Sequence, residues 1–337
     1  MIIGSGATPP TVQIHPTLRC NLRCRHCYSS SGPGSWGDLS YDLVAATLDD
    51  ARDLGYEVLS VSGGEPFLYP HLLAVLRHAK GLGFTTTVTT NGSVLDRGRL
   101  DRFAPHLDGI ALSLDGPPEV HNRIRASPRA FSSFLRGMDA VRELGLTFGL
   151  VHTLTEPGWA VLEWVAEFAA DSGAALLQIH PLELTGRAVP ELTGDALRTD
   201  TMHRVYVLAA LLEARYRSRL RVQLDLLPVD EIRADPELVY AGARPDPAGG
   251  LGADRLAGLV LEADGVVVPV TYGIDRRYAI GDVTRQRLRE AWGSWQDGGY
   301  LQFRELCRDV FDEILAADIK LVGWHEWLVR RSREAVA

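Results

Sequence analysis

One short stretch decides the fold and the chemistry of this 337-residue chain: Cys20-Asn21-Leu22-Arg23-Cys24-Arg25-His26-Cys27-Tyr28. It holds three of the chain's four cysteines. A four-iron cluster has four corners to fill, so three thiolates would leave one iron open to a ligand from outside the protein. Closed structural metal sites normally bring four protein ligands, and no other Cys or His of the chain forms a matching pair. Taken alone, the triplet also fits a chance metal knuckle.

The triplet resembles the Cys-x-x-x-Cys-x-x-Cys signature of the radical S-adenosylmethionine (SAM) superfamily, with the ring of His26 before the third cysteine and Tyr28 after it. The resemblance implies that Cys20, Cys24 and Cys27 hold one [4Fe-4S] cluster and that SAM chelates the open iron. It also implies that an electron from the cluster cleaves SAM to a 5'-deoxyadenosyl radical, which takes hydrogen from a substrate. An external electron donor, a flavodoxin or ferredoxin, is the expected redox partner.

Composition limits the class of protein. Hydrophobic residues make up 46% of the chain, which is enough for a sizeable core. The formal net charge of -8 gives no cationic footprint for phosphate backbones, so nucleic acid is not an expected partner. No signal peptide and no run of about 18 apolar residues is found, so we expect a cytoplasmic protein without a membrane partner. Clustered cysteines also fit a reducing compartment.

Short β-branched runs alternate with amphipathic segments up to about Leu182, a rhythm typical of a parallel sheet. The predicted strands are Val12–His15, Glu57–Ser62, Thr85–Thr90, Gly109–Leu114, Thr147–Thr155 and Ala175–His180. The predicted helices are Ser40–Leu54 with Ser40 as N-cap, His71–Leu82, Phe131–Leu144 and Trp159–Ser172. Six such units predict an α/β fold, a partial (β/α)6 barrel with a small α+β C-terminal extension, and its chemistry should lie at the carboxyl ends of the strands.

Three regions are expected: a flexible arm at 1–11, the barrel at 12–220 and the extension at 221–337. Beyond the barrel the sequence predicts a long helix at 197–219, a strand at 221–227, a loop at 241–252 and a helical tail from Arg285. The run from Gly258 to Pro269 predicts a hairpin around an Asp264-Gly265 turn.

Further motifs resemble segments that line the SAM pocket in the family. Ser62-Gly63-Gly64-Glu65-Pro66 resembles the GGEP motif, in which glycines allow close backbone approach, so that peptide carbonyls and Glu65 would receive hydrogen bonds from the SAM ammonium. Simple turns are the alternative. The remaining cofactor-binding candidates are His26, Asn91, Ser113, and Arg125 or Arg123 for the SAM carboxylate, with His180 near adenine and substrate. His180 precedes a Gly186-Arg-Ala188 turn and is a candidate for proton transfer as well, although a lone strand histidine is more often structural.

The C-terminal third is similar in outline to the SPASM or twitch extension of the family. It departs from that pattern at Val270, where an auxiliary-cluster cysteine would stand, and only Cys307 follows. One cysteine cannot hold an auxiliary cluster, so the extension is predicted to carry none. Cys307 is a candidate catalytic hydrogen-atom donor, with a buried apolar residue as the alternative, and Tyr272 is a weaker candidate. Trp324, His325 and Trp327 are interpreted as packing residues.

The resemblance implies a radical SAM enzyme, in peptide (RiPP) or other natural-product biosynthesis. A separate leader-peptide-binding protein is a further candidate partner, because the barrel begins near Val12 with no recognition domain before it. An alternative is a small metabolite, such as an aminosugar or nucleoside, changed by epimerisation, elimination or dehydrogenation. A more remote alternative is a non-catalytic iron-sulfur scaffold protein.

Overall fold

The computed structural model describes residues 9–236, 239 and 256–334. Its strands are β1 Thr11–Ile14, β2 Val58–Val61, β3 Thr85–Thr90, β4 Gly109–Ser113, β5 Phe148–Leu154, β6 Leu176–Pro181, β7 Arg221–Leu224, β8 Leu227–Pro228, β9 Gly258–Leu261, β10 Val266–Pro269, β11 Gly281–Asp282 and β12 Leu321–Val322. Its α-helices are α1 Tyr41–Asp53, α2 Leu72–Gly81, α3 Arg97–Asp101, α4 Pro118–Ile124, α5 Ala130–Glu143, α6 Leu162–Ser172, α7 Ala188–Leu192, α8 Thr199–Tyr216, α9 Val229–Ala234, α10 Leu288–Gln296, α11 Gly299–Ala316 and α12 Trp324–Arg333.

A ten-stranded sheet forms the centre of the molecule, in the order β11-β10-β9-β1-β2-β3-β4-β5-β6-β7. Strands β1 to β7 are parallel to their neighbours, so their carboxyl ends all lie at one edge. Helices between successive strands cover the outside, as right-handed βαβ crossovers require. The partial α/β barrel is therefore confirmed, and its parallel part has two strands more than the six predicted, β7 and β9.

Local sequence explains most of these elements. Ser40 caps α1 by accepting a hydrogen bond from the Leu43 amide, as the sequence predicts. The run of threonines in β3 favours a strand, and every second residue of it is buried. Helix α6 ends at Gly173, whose positive φ of 81° ends the helix in a left-handed C-cap.

The C-terminal residues complete the barrel instead of forming a separate body. The hairpin of β9 and β10 turns at Asp264-Gly265 as predicted, and β9 pairs in parallel with β1. Strand β7 pairs with β6, so the predicted boundary at residue 220 cuts off a strand that belongs to the parallel sheet. Buried residues of the barrel and of the hairpin share one hydrophobic core.

Two contacts fix the last helices over the barrel. Arg287, just before α10, donates two hydrogen bonds, of 2.9 and 2.7 Å, to the carboxylate of the buried Asp50 on α1. Strand β12 pairs with β8, which places the start of α12 over the carboxyl edge of the sheet. The predicted continuous tail is thus three helices with a strand between the last two.

The predicted loop at 241–252 and most of the predicted N-terminal arm lie outside the described residues. Within the part of the chain that the structure describes, no helix has the length and apolar character needed to cross a bilayer.

Candidate active site

A cavity of about 600 Å³ opens at the carboxyl ends of the parallel strands. Cys20, Cys24 and Cys27 line one end of it, on the loop that joins β1 to α1. The ends of β6 and β7 line the other end, together with the start of α12. The motifs that are far apart in sequence therefore meet around one space, as expected for an α/β barrel.

Arg187 holds the cysteine loop from the opposite side of the barrel. Its guanidinium, 9% exposed, donates hydrogen bonds to the carbonyls of Cys24 at 2.8 Å, Ser30 at 2.9 Å and Ser31 at 2.6 Å. Its own amide donates to the Cys27 carbonyl at 3.0 Å. Charged donors make the stronger hydrogen bonds of proteins, so one side chain fixes the course of the loop.

Glycines allow the loop to lie directly against two other segments. A Cβ on Gly64 would stand 2.2 Å from the Arg19 carbonyl oxygen, and one on Gly63, whose φ is +107°, would stand 2.8 Å from that of Thr17. A Cβ on Gly186 would stand 2.1 Å from the Tyr28 oxygen. The Gly-Gly pair was predicted to allow close approach to a ligand. Both glycines line the cavity, but the approach that requires them is to the chain's own cysteine loop.

Hydrogen-bond donors surround the sulfur atoms. Leu22 N lies 3.5 Å from Cys20 Sγ, Asn91 Nδ2 lies 3.8 Å from the same sulfur, and Arg125 Nη1 lies 3.7 Å from Cys24 Sγ. Burial raises the pKa of Cys20 to about 12 and also raises that of Cys24. Thiolates at these positions therefore need a positively charged partner, and metal binding, which deprotonates thiols, supplies one.

This donor set fits an iron-sulfur cluster better than a single metal ion. Within the described residues, no three side chains among His, Cys, Asp and Glu converge on one ion position. A mononuclear zinc site would require such convergence, because every thiolate must lie about 2.3 Å from the same ion. A cluster instead takes each thiolate at a separate iron, so spaced thiols with N–H donors nearby suit it. Cys20, Cys24 and Cys27 are the residues that would hold it.

Asp115, just beyond β4, joins two of the predicted SAM-pocket residues. It is 2% exposed and accepts from Arg125 Nε at 2.5 Å and lies 3.2 Å from His26 Nε2. Burial by itself would raise its pKa, but Arg125 and His26 hold the pKa well below the usual range. Arg125 lines the cavity while Arg123 is exposed outside it, so the structure selects Arg125 from the two alternatives. Its guanidinium is already paired with Asp115, so it supports the cysteine loop as well as the cavity wall.

Glu65 does not take the predicted position. Its side chain is fully buried and is not part of the cavity wall. One oxygen accepts from Thr90 Oγ1 at 2.7 Å and from Phe67 N at 3.2 Å, and the other accepts from Asn91 N at 3.0 Å. The carboxylate of Glu65 therefore ties the end of β2 to the end of β3 instead of facing the cavity, and a contact of this motif with SAM stays a prediction. Asn91 itself lines the cavity, as predicted.

Ser113 and His180 also line the cavity, as predicted. His180 Nδ1 lies 3.0 Å from Asp225 Oδ2, and its Nε2 lies 3.2 Å from Glu183 Oε1. Gln178 and Gln223 donate to Asp225 at 2.6 and 3.0 Å. Burial lowers the pKa of His180, but its two carboxylate partners outweigh burial and raise the pKa to about 10. His180 is therefore held as a cation.

The C-terminal segments also reach the cavity. Tyr272 lines it and stacks on the buried His15 with ring centres 4.7 Å apart. Trp324 packs in the hydrophobic core, as interpreted from the sequence, and also lines the cavity. His325 lines the cavity too, which the packing interpretation did not include. Helix α12 begins at the cavity because β12 pairs with β8, and no local sequence pattern predicts this contact.

Cys307 lies elsewhere. It is fully buried in the hydrophobic core on α11, outside the cavity wall, and burial raises its pKa to about 12. A hydrogen-atom donor has to reach the substrate radical, so this position contradicts the predicted catalytic role. The alternative, a small buried apolar residue, describes its surroundings.

Sequence reasoning missed several residues of the site. Asp115 lies two residues beyond β4, and Asp225 directly follows β7, so the rule that site residues lie at the carboxyl ends of barrel strands would have found both. Arg187 was only part of a predicted turn. Its contact with the cysteine loop joins residues more than 150 positions apart, and the sequence carries no signal for it.

Comparison with known proteins gives three findings. A model of the Radical SAM superfamily matches residues 14–162. The pre-heme d1 synthase of Dinoroseobacter shibae is 29% identical over 210 residues, which are 62% of this chain and 52% of that protein. The PqqA peptide cyclase of Ruegeria pomeroyi is 30% identical over 262 residues, 75% of this chain and 65% of that protein. The chain spans about half the length of the first curated relatives it matches.

Among solved structures, Streptococcus suis SuiB bound to S-adenosylmethionine is similar with a TM-score of 0.67 and 16% identity, over 89% of this chain and 68% of that chain. At 16% identity, this structural similarity shows that the two proteins share a fold, and it shows nothing further. It extends past the family match into the C-terminal segments that complete the cavity.

Proposed function

We propose, from the premise that residues 14–162 form a radical SAM superfamily domain, that this chain is an enzyme that removes hydrogen from a peptide substrate. The cofactors of that superfamily, a [4Fe-4S] cluster and SAM, supply when bound a 5'-deoxyadenosyl radical that abstracts hydrogen. An external donor would supply the electron for the cleavage of SAM, and this chain's side chains hold the cofactors and the substrate. Cys20, Cys24 and Cys27 hold the cluster, and the cavity beside them takes SAM and the reacting part of the substrate.

The observation that carries the proposal is the meeting of the three cysteines with Gly63, Gly64 and Ser113 around one cavity. Its volume of about 600 Å³ is within the range of small-molecule and cofactor sites. Asn91, Arg125 and Arg187 fix the loop and donate to its sulfurs or carbonyls, which keeps the ligands in position before the cluster arrives. The fourth iron is left without a protein ligand, and SAM would fill that place.

The names of the two curated relatives point to different substrate classes, a tetrapyrrole for the pre-heme d1 synthase and a peptide for the PqqA peptide cyclase. Of the two curated relatives given above, the one that matches the larger share of this chain is named a PqqA peptide cyclase. The cavity is also partly open to solvent, so a substrate longer than a metabolite could extend out of it.

Anaerobic reconstitution with iron and sulfide tests the proposal. Purified protein should bind about four irons per chain, since only one cluster site is expected. With SAM and a reductant it should release 5'-deoxyadenosine. The triple variant Cys20→Ala, Cys24→Ala, Cys27→Ala should lose both properties, whereas Cys307→Ala should keep both.

Three results would count against it. Iron that stays in the triple variant would place the cluster elsewhere. About eight irons per chain would require a second cluster. A protein that binds four irons but never releases 5'-deoxyadenosine would be a scaffold instead of an enzyme.

A further inference from the structure

The two ends of the cavity differ in charge. At the cysteine end two carboxylates lie behind the wall: Asp115 is matched by Arg125 and His26, and Glu65 accepts hydrogen bonds from Thr90, Asn91 and Phe67. At the other end three carboxylates, those of Glu183, Asp225 and Glu326, line the cavity. We call these three residues, with His180 and His325, the acidic wall.

Hydrogen bonds account for only part of the acidic wall. Asp225 is satisfied, because His180, Gln178 and Gln223 all donate to it. Both nitrogens of His180 are used, by Asp225 and by one oxygen of Glu183. In the described part of the chain, neither the Glu326 carboxylate nor Oε2 of Glu183 has a hydrogen-bond or ion-pair partner.

The charges do not balance either. Asp225 and Glu183 have lowered pKa values, since contacts with His180 outweigh burial, so both are ionised and His180 offsets one of them. Burial and the nearby charge of Glu183 raise the pKa of Glu326. His325 is an exposed residue of the cavity wall, and desolvation of its ring lowers its pKa. Two carboxylates that repel each other thus face the same space with one imidazolium behind them.

An independent feature of the same wall also indicates a missing partner. Trp324, next to His325, lines the cavity and is 5% exposed, yet its indole Nε1 has no hydrogen-bond partner in the described structure. Buried indole N–H groups usually have one. A substrate peptide offers a cation for the carboxylates and, if the indole rotates to bring its N–H to the cavity surface, a carbonyl for Trp324.

We propose that the acidic wall binds a cationic side chain of the substrate, the ammonium of a lysine-type residue or a guanidinium, and holds the neighbouring peptide toward the cysteine end. The inference rests on the proposed function only in taking the substrate to be a peptide. An ammonium has three donors and no acceptor, which matches the open oxygens of Glu183 and Glu326. Since those oxygens are the part of the wall without partners, the side chain is recognised there and not at Asp225.

Binding of two matched probes to the reconstituted protein, with no reductant added, tests the inference. The probes are N-acetyl-lysine methylamide and N-acetyl-norleucine methylamide, which differ at the end of the side chain by the charged amine. We expect the lysine probe to bind at least about tenfold more tightly in calorimetry, because a charge pair in a partly enclosed site is worth this much or more. N-acetyl-arginine methylamide separates the guanidinium arm from the ammonium arm.

Variants assign the preference to the wall. Glu183→Gln and Glu326→Gln should each reduce it to less than about threefold, with the neutral probe unaffected. Glu167→Gln makes the same chemical change on the exposed side of α6 and should leave both probes unchanged. Added salt should weaken the preference in the wild type.

Equal binding of the charged and neutral probes, or no binding of either up to their solubility limits, would overturn the inference. So would a preference that survives in both variants. The test is separate from that of the proposed function, because probe binding needs no SAM cleavage. A protein that releases 5'-deoxyadenosine but ignores the charge on the probe refutes the acidic wall alone, and the opposite pattern refutes the enzyme alone.

Discussion

Replacing Gly64 with alanine tests how the cysteine loop is held. The new Cβ would stand 2.2 Å from the Arg19 oxygen and 2.8 Å from the carbonyl carbons of Leu18 and Arg19. Close carbon–oxygen contacts in proteins are about 3.3–3.6 Å, so the two backbones must separate by roughly 1 Å. Two hydrogen bonds cross this contact, Gly64 N to Thr17 O at 2.9 Å and Glu65 N to Arg19 O at 2.8 Å. Such a shift would break both.

The expected cost follows from these contacts. Overpacking costs about 1–3 kcal/mol, and each lost backbone hydrogen bond about 0.5–1.5 kcal/mol. The free energy of unfolding should therefore fall by about 2–6 kcal/mol, a large part of the ~5–15 kcal/mol of a typical protein. Because the moved residues directly precede Cys20, the amount of iron bound after reconstitution should fall as well.

Gly34→Ala is the matched control. Gly34 lies on the same loop, and a Cβ there would have no heavy atom within 4 Å. Its unfolding free energy should stay within about 0.5 kcal/mol of the wild type, with full iron binding. Denaturant unfolding and iron content are measured on both variants. If Gly64→Ala unfolds at the same denaturant concentration as Gly34→Ala and binds as much iron, the close approach does not fix the loop.

Three further predictions concern other parts of the site. Arg187→Met removes three charge-assisted hydrogen bonds to loop carbonyls, so it should lower the unfolding free energy by at least about 3 kcal/mol and reduce iron binding. Arg187→Lys should restore little of either property, because an ammonium lacks the planar fork of the guanidinium. Full restoration by lysine would contradict this account. Cys307→Ala should lower the unfolding free energy by about 1 kcal/mol through lost packing and leave 5'-deoxyadenosine release and substrate turnover unchanged. If turnover stops while iron stays bound, Cys307 becomes a catalytic candidate again. The pairs of His180 raise its pKa from 6.5 to about 10, so their contribution to stability is complete below about pH 6.5 and is lost as the pH rises through 10. The stability difference between wild type and His180→Gln should shrink over that range, and a difference independent of pH would contradict the raised pKa.

The barrel was predictable because its signals are local. Strand β3 has the predicted bounds, Ser40 caps α1 as predicted, and the hairpin turns at Asp264-Gly265. Each of these depends on side-chain types within a few residues. The cysteine triplet is also a local signal, because the number of thiol ligands and their spacing can be read from eight consecutive residues.

Orientation and long-range pairing were not predictable in this way. Glu65 occurs where the motif requires it, but whether its carboxylate faces the cavity or the Thr90 hydroxyl depends on how β2 and β3 end side by side. Trp324 and His325 begin a helix whose sequence is compatible with packing. They reach the cavity because β12 pairs with β8, a contact between residues 227–228 and 321–322. Hydrophobic periodicity and secondary-structure propensity do not predict such strand pairs.

Val270 shows how the C-terminal segments contribute to the cavity wall. It stands where an auxiliary-cluster cysteine was expected, its φ is 53°, and it lines the cavity with Thr271 and Tyr272. A β-branched residue with positive φ is unfavourable and persists only where its surroundings enforce it. Here the Val270 amide bonds to the Gly258 carbonyl at 3.0 Å, and Tyr272 stacks on His15 of the barrel. The chain therefore turns sharply after β10 and lays Tyr272 against the barrel, so this segment serves as cavity wall. A site closed by side chains at this position leaves the room between the cysteine end and the acidic wall to SAM and substrate.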